Sequence, residues 1–479
     1  MKFIGRTKEL EELNLLLKKK SASLVVIRGR RRVGKSRLIQ EFVKDRKCWT
    51  FTGLPPIPGI TKQRQFDAFS SQISQNLKIP TIQARDWNEY FEFLGNQAKG
   101  QKIVIVFDEI SWMGSKDPDF LGYLKNAWDL YFSTNPDLIM ILCGSVSSWI
   151  EKNILRNTGF VGRISIDMIL EELSISESQE FWGSQKNTIS PYEKFKVLSV
   201  TGGIPKYLEE IIQNQTAEEN IKRMCFQSNG ILFREYEEIF SDLFSKKSKT
   251  YGKIIKTLNN NPLELNEICE HLNIKKGGFV SEYLHNLVLA GFVAEDATWD
   301  FNNKKSSKKL KKFRLRDNYI RFYLKYIEPN KEKIIKDLFI SGSSFPLAAW
   351  EAIMGLQFEN LVTNNLKGLC KILRIDTQDI VMAGPFFQRK TTRQEGCQID
   401  LLIQTRHNTL YLCEVKFSAK EIGSSVIEEV ERKIKTLSVP KSYSIRLVLI
   451  HVNGVSESLK EREIFSHIVD FSDFLSLQI

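Results

Sequence analysis

The sequence has no run of the roughly 18 apolar residues that a membrane-crossing helix needs, and the start of the chain, with Lys2 and Arg6, has no apolar stretch of the secretory kind. Neither a membrane nor export is expected; a reducing cytoplasm is. Histidine is scarce, at 5 of 479 residues, and the 7 cysteines (Cys48, Cys143, Cys225, Cys269, Cys370, Cys397, Cys413) are scattered with no C-x-x-C pair. These absences argue against a zinc site and against a disulfide framework. Internal repeats and long low-complexity tracts are also missing. What remains, 42% hydrophobic and 26% charged residues, is ordinary globular composition, and the length favours several domains of roughly 100–200 residues each. Acidic residues are the minority charge. The net charge of +12 suggests an anionic partner, and nucleic acid comes first because no lipidation signal or amphipathic membrane helix accompanies it.

The most informative stretch is Gly29-Arg30-Arg31-Arg32-Val33-Gly34-Lys35-Ser36, followed by Arg37. It lies between the apolar run Leu24-Val25-Val26-Ile27 and Leu38-Ile39, which reads as strand, loop and helix start. The spacing G-x-x-x-x-G-K-[ST] is that of a phosphate-binding loop, in which glycines let backbone N–H groups approach phosphate at a helix N-terminus. Lys35 is expected at the β- and γ-phosphates of ATP, and Ser36 on Mg2+.

Upstream, Ile4-Gly5-Arg6-Thr7 opens a helix with Thr7 as the expected N-cap and Leu10, Leu13, Leu15, Leu16 and Leu17 as its apolar stripe. Downstream, Pro55, Pro56, Pro58 and Gly59 make residues 48–62 irregular. The run Ile103-Val104-Ile105-Val106-Phe107 has no polar alternation, reads as a parallel strand buried on both faces, and ends in Asp108-Glu109. Open α/β sheets bind ligands at that edge, so Asp108 is expected in the Mg2+ shell and Glu109 at the attacking water. Ile139 to Cys143 is a similar strand ending in Gly144-Ser145, with Ser145 placed to sense the γ-phosphate. Arg163, after Gly162, is either a transition-state arginine, presented by its own or a neighbouring subunit, or a surface arginine after a turn.

Residues 1 to about 320 resemble the archaeal-type branch of the AAA+ and STAND ATPases. The resemblance rests on Ile4-Gly5-Arg6, the phosphate loop with its three arginines, Phe107-Asp108-Glu109, Cys143-Gly144-Ser145, Gly162-Arg163 and Gly202-Gly203-Ile204-Pro205-Lys206-Tyr207-Leu208. It implies an ATPase core over 1–168 and a helical lid over 169–245. Pro205 stands where many AAA+ proteins carry an arginine, so no lid arginine is assigned.

From Lys253, short helices separated by turns read as helix–turn–helix, with wing strands at Gly291-Phe292-Val293-Ala294 and Phe313-Arg314-Leu315-Arg316. Lys304, Lys305, Lys308, Lys309, Lys311 and Lys312 are expected at the wing tip, where they would meet DNA phosphates. The alternative is a wing that serves as a spacer with solvated lysines. This winged helix is bounded at 246–328.

Pro329 to Leu347 reads as the passage into a last domain, 329–479. There Cys397-Gln398-Ile399-Asp400-Leu401-Leu402-Ile403 and Leu410-Tyr411-Leu412-Cys413-Glu414-Val415-Lys416-Phe417 form a hairpin turning at His407-Asn408, with Glu414 and Lys416 on one face. With Glu359 on a preceding helix, this constellation resembles the PD-(D/E)XK nuclease superfamily in the variant fused behind archaeal-type ATPases. The resemblance implies that Asp400 and Glu414 hold Mg2+ or Mn2+, that Glu359 supports the metal, and that Lys416 orients or deprotonates the attacking water. Ile399, before Asp400, departs from the proline or small residue usual there. A plain edge-strand ion pair and an inactive nuclease-like binding module are the competing readings.

The fold expected is multidomain α/β: a P-loop NTPase parallel sheet with helical lid, a winged helix-turn-helix, and a C-terminal restriction-endonuclease-like α/β domain. The function expected is an ATP-hydrolysing, DNA-associated protein with a metal-dependent nuclease-like domain regulated by the ATPase, and a homo-oligomer is one assembly this allows. The alternatives are a STAND-like ATP-dependent switch whose last domain only binds, and a basic transcription regulator with vestigial chemistry.

Overall fold

The computed structural model describes residues 2–477 apart from 56, 58, 115–116, 245–246, 276, 340–346 and 393, with the side chains of 242–246, 308 and 309 also left out. Pro56, Pro58, the side chains of Lys308 and Lys309, and part of the passage into the last domain therefore lie outside the described residues. The chain divides into two compact units, residues 1–171 with 289–291 and residues 172–288 with 292–479.

In the first unit five strands, β1 (Ser23–Arg28), β2 (Cys48–Thr52), β3 (Ile103–Asp108), β4 (Leu138–Gly144) and β5 (Ile164–Ile169), form one sheet in the order β2-β3-β4-β1-β5. Every pairing is parallel. The apolar runs of β1 and β4 are buried throughout because both faces are covered. Leu24 and Val26 feed one core with an aromatic group around Phe69, Trp87 and Phe91, whereas Val25 and Ile27 feed the other with Leu38 and Phe42. A wholly parallel sheet puts the loops after β1, β3 and β4 at one edge, which is what assembles a site there. Three local expectations are corrected. Cys48–Thr52 is a strand, with Trp49 and Phe51 turned inward and Thr50 and Thr52 outward. Arg6 caps the first helix in a left-handed conformation and Thr7 is its first residue, while Leu15 is 58% exposed.

The second unit begins with helices, among them Pro191–Thr201, which starts on the Ser190 side-chain cap with proline at its first turn. It stops at Gly202 (φ 58°), and a Cβ on Gly203 would lie 2.0 Å from the Leu173 carbonyl oxygen. Helices Ser248–Thr257, Leu265–His271 and Gly278–Leu289 follow. An antiparallel ribbon of β6 (Val293–Asp300) and β7 (Lys305–Leu315) comes next, and Leu263 pairs with Phe313 beside it. A second sheet has the order β12-β11-β10-β9-β8. Its strands are β8 (Ile380–Gln388), β9 (Cys397–Thr405), β10 (Thr409–Val415), β11 (Ser444–His451) and β12 (His467–Asp470). β8, β9 and β10 run antiparallel, and β10, β11 and β12 parallel.

The ribbon differs from expectation in length and in attachment. Its turn is at 301–304, so Lys305, Lys311 and Lys312 lie on the strand and not at a tip. Trp299 and Phe301 enter the core of the second sheet with Phe386, Ile399 and Leu402. The buried Gln404 fixes them, accepting from Trp299 Nε1 at 2.7 Å and donating to the Phe301 carbonyl at 3.0 Å. Lys312 lies 5.2 Å over the Phe387 ring and Lys311 pairs with Glu295. At the other end Arg314 binds Asp296 and Asn360, and Asn360 donates to the Leu315 carbonyl. Within the second unit, residues 172–288 and 292–479, the ribbon thus joins the helices to the second sheet.

Candidate functional site

The phosphate loop owes its shape to residues that tolerate positive φ. Gly29 (φ 148°) could carry no Cβ, which would lie 2.3 Å from the Leu170 carbonyl oxygen, and Gly34 (φ 94°) is the N-cap of the helix Lys35–Val43. Lys35 is buried and donates to the carbonyls of Gly29 (2.9 Å) and Arg30 (3.0 Å), which holds its ammonium across the loop. Ser36 Oγ donates to Asp108 Oδ2 at 2.9 Å. That hydroxyl and carboxylate are hard oxygen donors, and they fit Mg2+, which takes few protein ligands and completes its shell with water and phosphate.

At the end of β3, Glu109 takes a left-handed conformation (φ 49°) that turns its side chain toward β4. Its Oε2 accepts from both the N–H (3.2 Å) and the hydroxyl (3.1 Å) of Ser145. Burial raises the Glu109 pKa, against the opposing pull of Lys35 and the Ser145 bonds. Lys35, Ser36, Asp108, Glu109 and Ser145, read from three separate stretches, thus meet at one sheet edge. Arg6 is a supporting residue that chemistry alone did not assign: its guanidinium donates to the Val33 carbonyl at 3.0 Å and to the Glu171 carbonyl, bracing the loop from beneath. Of the loop arginines, Arg30 is buried and Arg31 and Arg32 are partly so; Arg37 is exposed.

Arg163 does not join this group within its own chain. It precedes β5, which runs parallel to β1, so it sits at the opposite sheet edge, a strand length of roughly 15–20 Å from the loop. There it forms a two-point ion pair with Asp129 (2.7 and 3.0 Å). This pairing draws the Asp129 carboxyl down to about 2.

The second constellation lies in the other unit, where β9 and β10 place Asp400 and Glu414 side by side. Glu414 is 1% exposed. Asp400 Oδ2 accepts from the Val415 N–H at 2.9 Å. Burial, then the neighbouring Glu414 and Glu359, push the Asp400 pKa up to about 7. Lys416 Nζ lies 3.1 Å from Glu414 and 2.6 Å from Glu429. Burial disfavours its charge, but Glu429 and Glu414 outweigh that and hold its pKa above the ordinary lysine range.

Lys433, from the helix Ser425–Thr436, stands 2.6 Å from Glu414 and 3.7 Å from Asp400. Neither Lys433 nor Glu429 is among the expected site residues. The signal was there: Val426, Val430 and Lys433 recur at helical spacing on the face that carries the buried residues.

Glu359 is half-buried nearby, on the helix Trp350–Asn364; desolvation raises its pKa against the opposing charges of Arg321 and Arg314. It does not complete a cage: among the described residues no three Asp, Glu, His or Cys side chains are grouped to hold a metal. Glu359 as a support for the metal stays an expectation drawn from the resemblance. Asp400 and Glu414 themselves present a pair of hard carboxylate oxygen donors. Among the described residues no helix is long and apolar enough to cross a membrane.

Residues 3–211 match the family model of an ATPase domain predominantly from Archaea. An uncharacterized protein of Methanocaldococcus jannaschii is 26% identical over 442 residues, 90% of this chain and 91% of that protein. Among solved structures, the Walker-type ATPase of Pyrococcus abyssi is similar at 17% identity and a TM-score of 0.50, over 67% of this chain and 96% of that one. This likeness is one of fold. The chain carries a P-loop ATPase domain, and ATP hydrolysis is its activity.

Proposed function

We propose that this protein is an ATP-controlled DNA-processing enzyme, in which the P-loop ATPase governs a winged helix and a PD-(D/E)XK nuclease-like centre. In the ATPase, Lys35 and the loop N–H groups would bind the phosphates, Ser36 and Asp108 would hold Mg2+, and Glu109, held by Ser145, would orient and deprotonate the attacking water. The order of three helices and a basic ribbon, with the Leu263–Phe313 pairing, supports a winged helix. Its DNA contacts are assigned to the exposed Lys304 and Lys305, since Lys311 and Lys312 are engaged within the protein.

The observation that carries the nuclease reading is Glu414, an almost wholly buried acid beside Asp400 and faced by Lys416. A buried carboxylate must be compensated by a cation, whether a lysine or a metal ion. Asp400 and Glu414 would hold Mg2+ or Mn2+, which when bound supplies a Lewis acid and an activated water. Lys416 is positioned by Glu429 to steady charge on the scissile phosphate.

Plasmid and short single- and double-stranded DNA, incubated with Mg2+ or Mn2+ and with or without ATP, test this reading. Wild-type protein should cut and Asp400→Ala should not; a wild type that hydrolyses ATP but cuts nothing overturns the nuclease. A second reading, an ATP-dependent switch whose last domain is a binding module, is favoured by the two lysines already neutralising Glu414 and predicts that latter outcome.

A further inference from the structure

The helix Ser425–Thr436 closes one side of the carboxylate centre and brings charge to it. Val426, Ile427 and Val430 bury its apolar face, and Lys433, one turn past Val430, extends from that face into the centre. Its side chain is only 18% exposed, and its Nζ bridges Glu414 Oε2 (2.6 Å) and Asp400 Oδ1 (3.7 Å). Glu429, one turn earlier on the same helix, takes a different partner: it holds Lys416 at 2.6 Å. The two lysines are therefore not equivalent. Lys416 shares its charge with an acid outside the pair, whereas both acids facing Lys433 are the ones that a divalent cation would use. An ammonium is a compact point charge on a flexible stem, able to fill a cation's place between two carboxylates and to leave it.

We propose that Lys433 is an internal counter-ion that competes with a divalent cation for Asp400 and Glu414, so that the cation enters by displacing the Lys433 ammonium. The inference rests on the reading of Asp400 and Glu414 as a cation site, and it does not require that the site cut DNA. Between visits of a cation, Lys433 keeps the two buried acids paired; with the cation bound, its Nζ is released.

Mn2+ binding to the full chain without nucleotide, followed by the electron paramagnetic resonance of free Mn2+, tests it, with Asp400→Asn identifying the signal that belongs to this site. Lys433→Gln, one bond shorter, keeps a polar donor on the same stem but removes the charge, and it should bind Mn2+ at least about ten-fold more tightly than wild type. Lys433→Arg, which keeps the charge, should bring no such gain. Binding by Lys433→Gln that is no tighter than wild type, or binding that Asp400→Asn leaves untouched, overturns the proposal. Wild-type protein gives a second measurement that does not depend on how a variant folds: Mn2+ should increase acetylation of Lys433 by acetic anhydride, read by mass spectrometry, and unchanged or reduced labelling overturns the proposal. Tighter Mn2+ binding by Lys433→Gln in a protein that cuts no DNA would sustain the counter-ion and remove the nuclease.

Discussion

At the scale of single residues, the ATPase site makes a prediction about pH. Because burial raises the Glu109 pKa, the base is protonated, and idle, at pH values where an ordinary glutamate is already ionised. ATP turnover should therefore fall on the acid side through a limb lying above the usual carboxylate range. Glu109→Gln should lower turnover by roughly 10²–10⁴-fold while nucleotide still binds, and the limb should vanish, as steady-state rates against pH would show. Asp400 gives the companion prediction for stability. Its pKa is raised to about 7 in the folded chain, so the folded state binds the proton more tightly than the unfolded one, and stability is lost as pH rises from about 4 to about 7. Asp400→Asn should accordingly stabilise the second unit at pH 7.5, on the order of 1–3 kcal/mol, with the gain fading near pH 4; denaturant melts at both pH values decide it. These residues differ in how far the sequence announces them. Lys35, Ser36, Asp108 and Glu109 stand in motifs whose spacing has one chemical use. Lys433 stands in Glu431-Arg432-Lys433, an acid-x-lysine triplet that also occurs at Asp45-Arg46-Lys47 and is uninformative by itself, and only its register with Val426 and Val430 tells that it faces inward.

At the scale of elements, the helix Pro191–Thr201 is tied to the carboxylate centre through rings. Phe195 stacks on Phe417 (5.1 Å) and meets Phe358 edge-on (5.3 Å), and these are the chain neighbours of Lys416 and Glu359. Phe195→Ala should cost about 3–5 kcal/mol in urea unfolding of the second unit. The ribbon offers a different test. If Lys304 and Lys305 meet phosphates, their double replacement by alanine should weaken DNA binding across all sequences and reduce the slope of log affinity against log salt by about 2, in fluorescence anisotropy titrations. The buried strands β1, β3 and β4 were legible as unbroken apolar runs, and the hairpin of β9 and β10 as two runs around His407-Asn408. β2 was hidden by the prolines that follow it, although Trp49 and Phe51 alternate with threonines as an edge strand requires. The length of the ribbon was hidden by its lysines. Lys305 to Lys312 read as a solvated tip, yet the strand continues through them because its partner supplies Glu295 and the second sheet supplies Phe387.

At the scale of the whole molecule, the ATPase site and the carboxylate centre lie in different compact units, which makes their independence testable. Lys35→Ala should abolish ATP turnover and any ATP dependence of DNA cutting while leaving Mn2+ binding at Asp400 and Glu414 at its wild-type strength; loss of both would show that the two centres are not independent ligand sites. No proline- or glycine-rich linker marks the unit boundary near Glu171, so it is approached through the family resemblance, which ends the ATPase core at 168, and not through composition; the contacts that join the later segments are between residues far apart in the chain, such as Trp299 with Gln404. That last bond has a geometric consequence. A basic ribbon whose end is built into the core beside β9 cannot sweep over a range of positions; it stands at a set distance from Asp400. On the proposed function, it acts as a ruler: a duplex gripped by Lys304 and Lys305 would be cut at a fixed spacing from the gripped phosphates, giving products of a few discrete lengths.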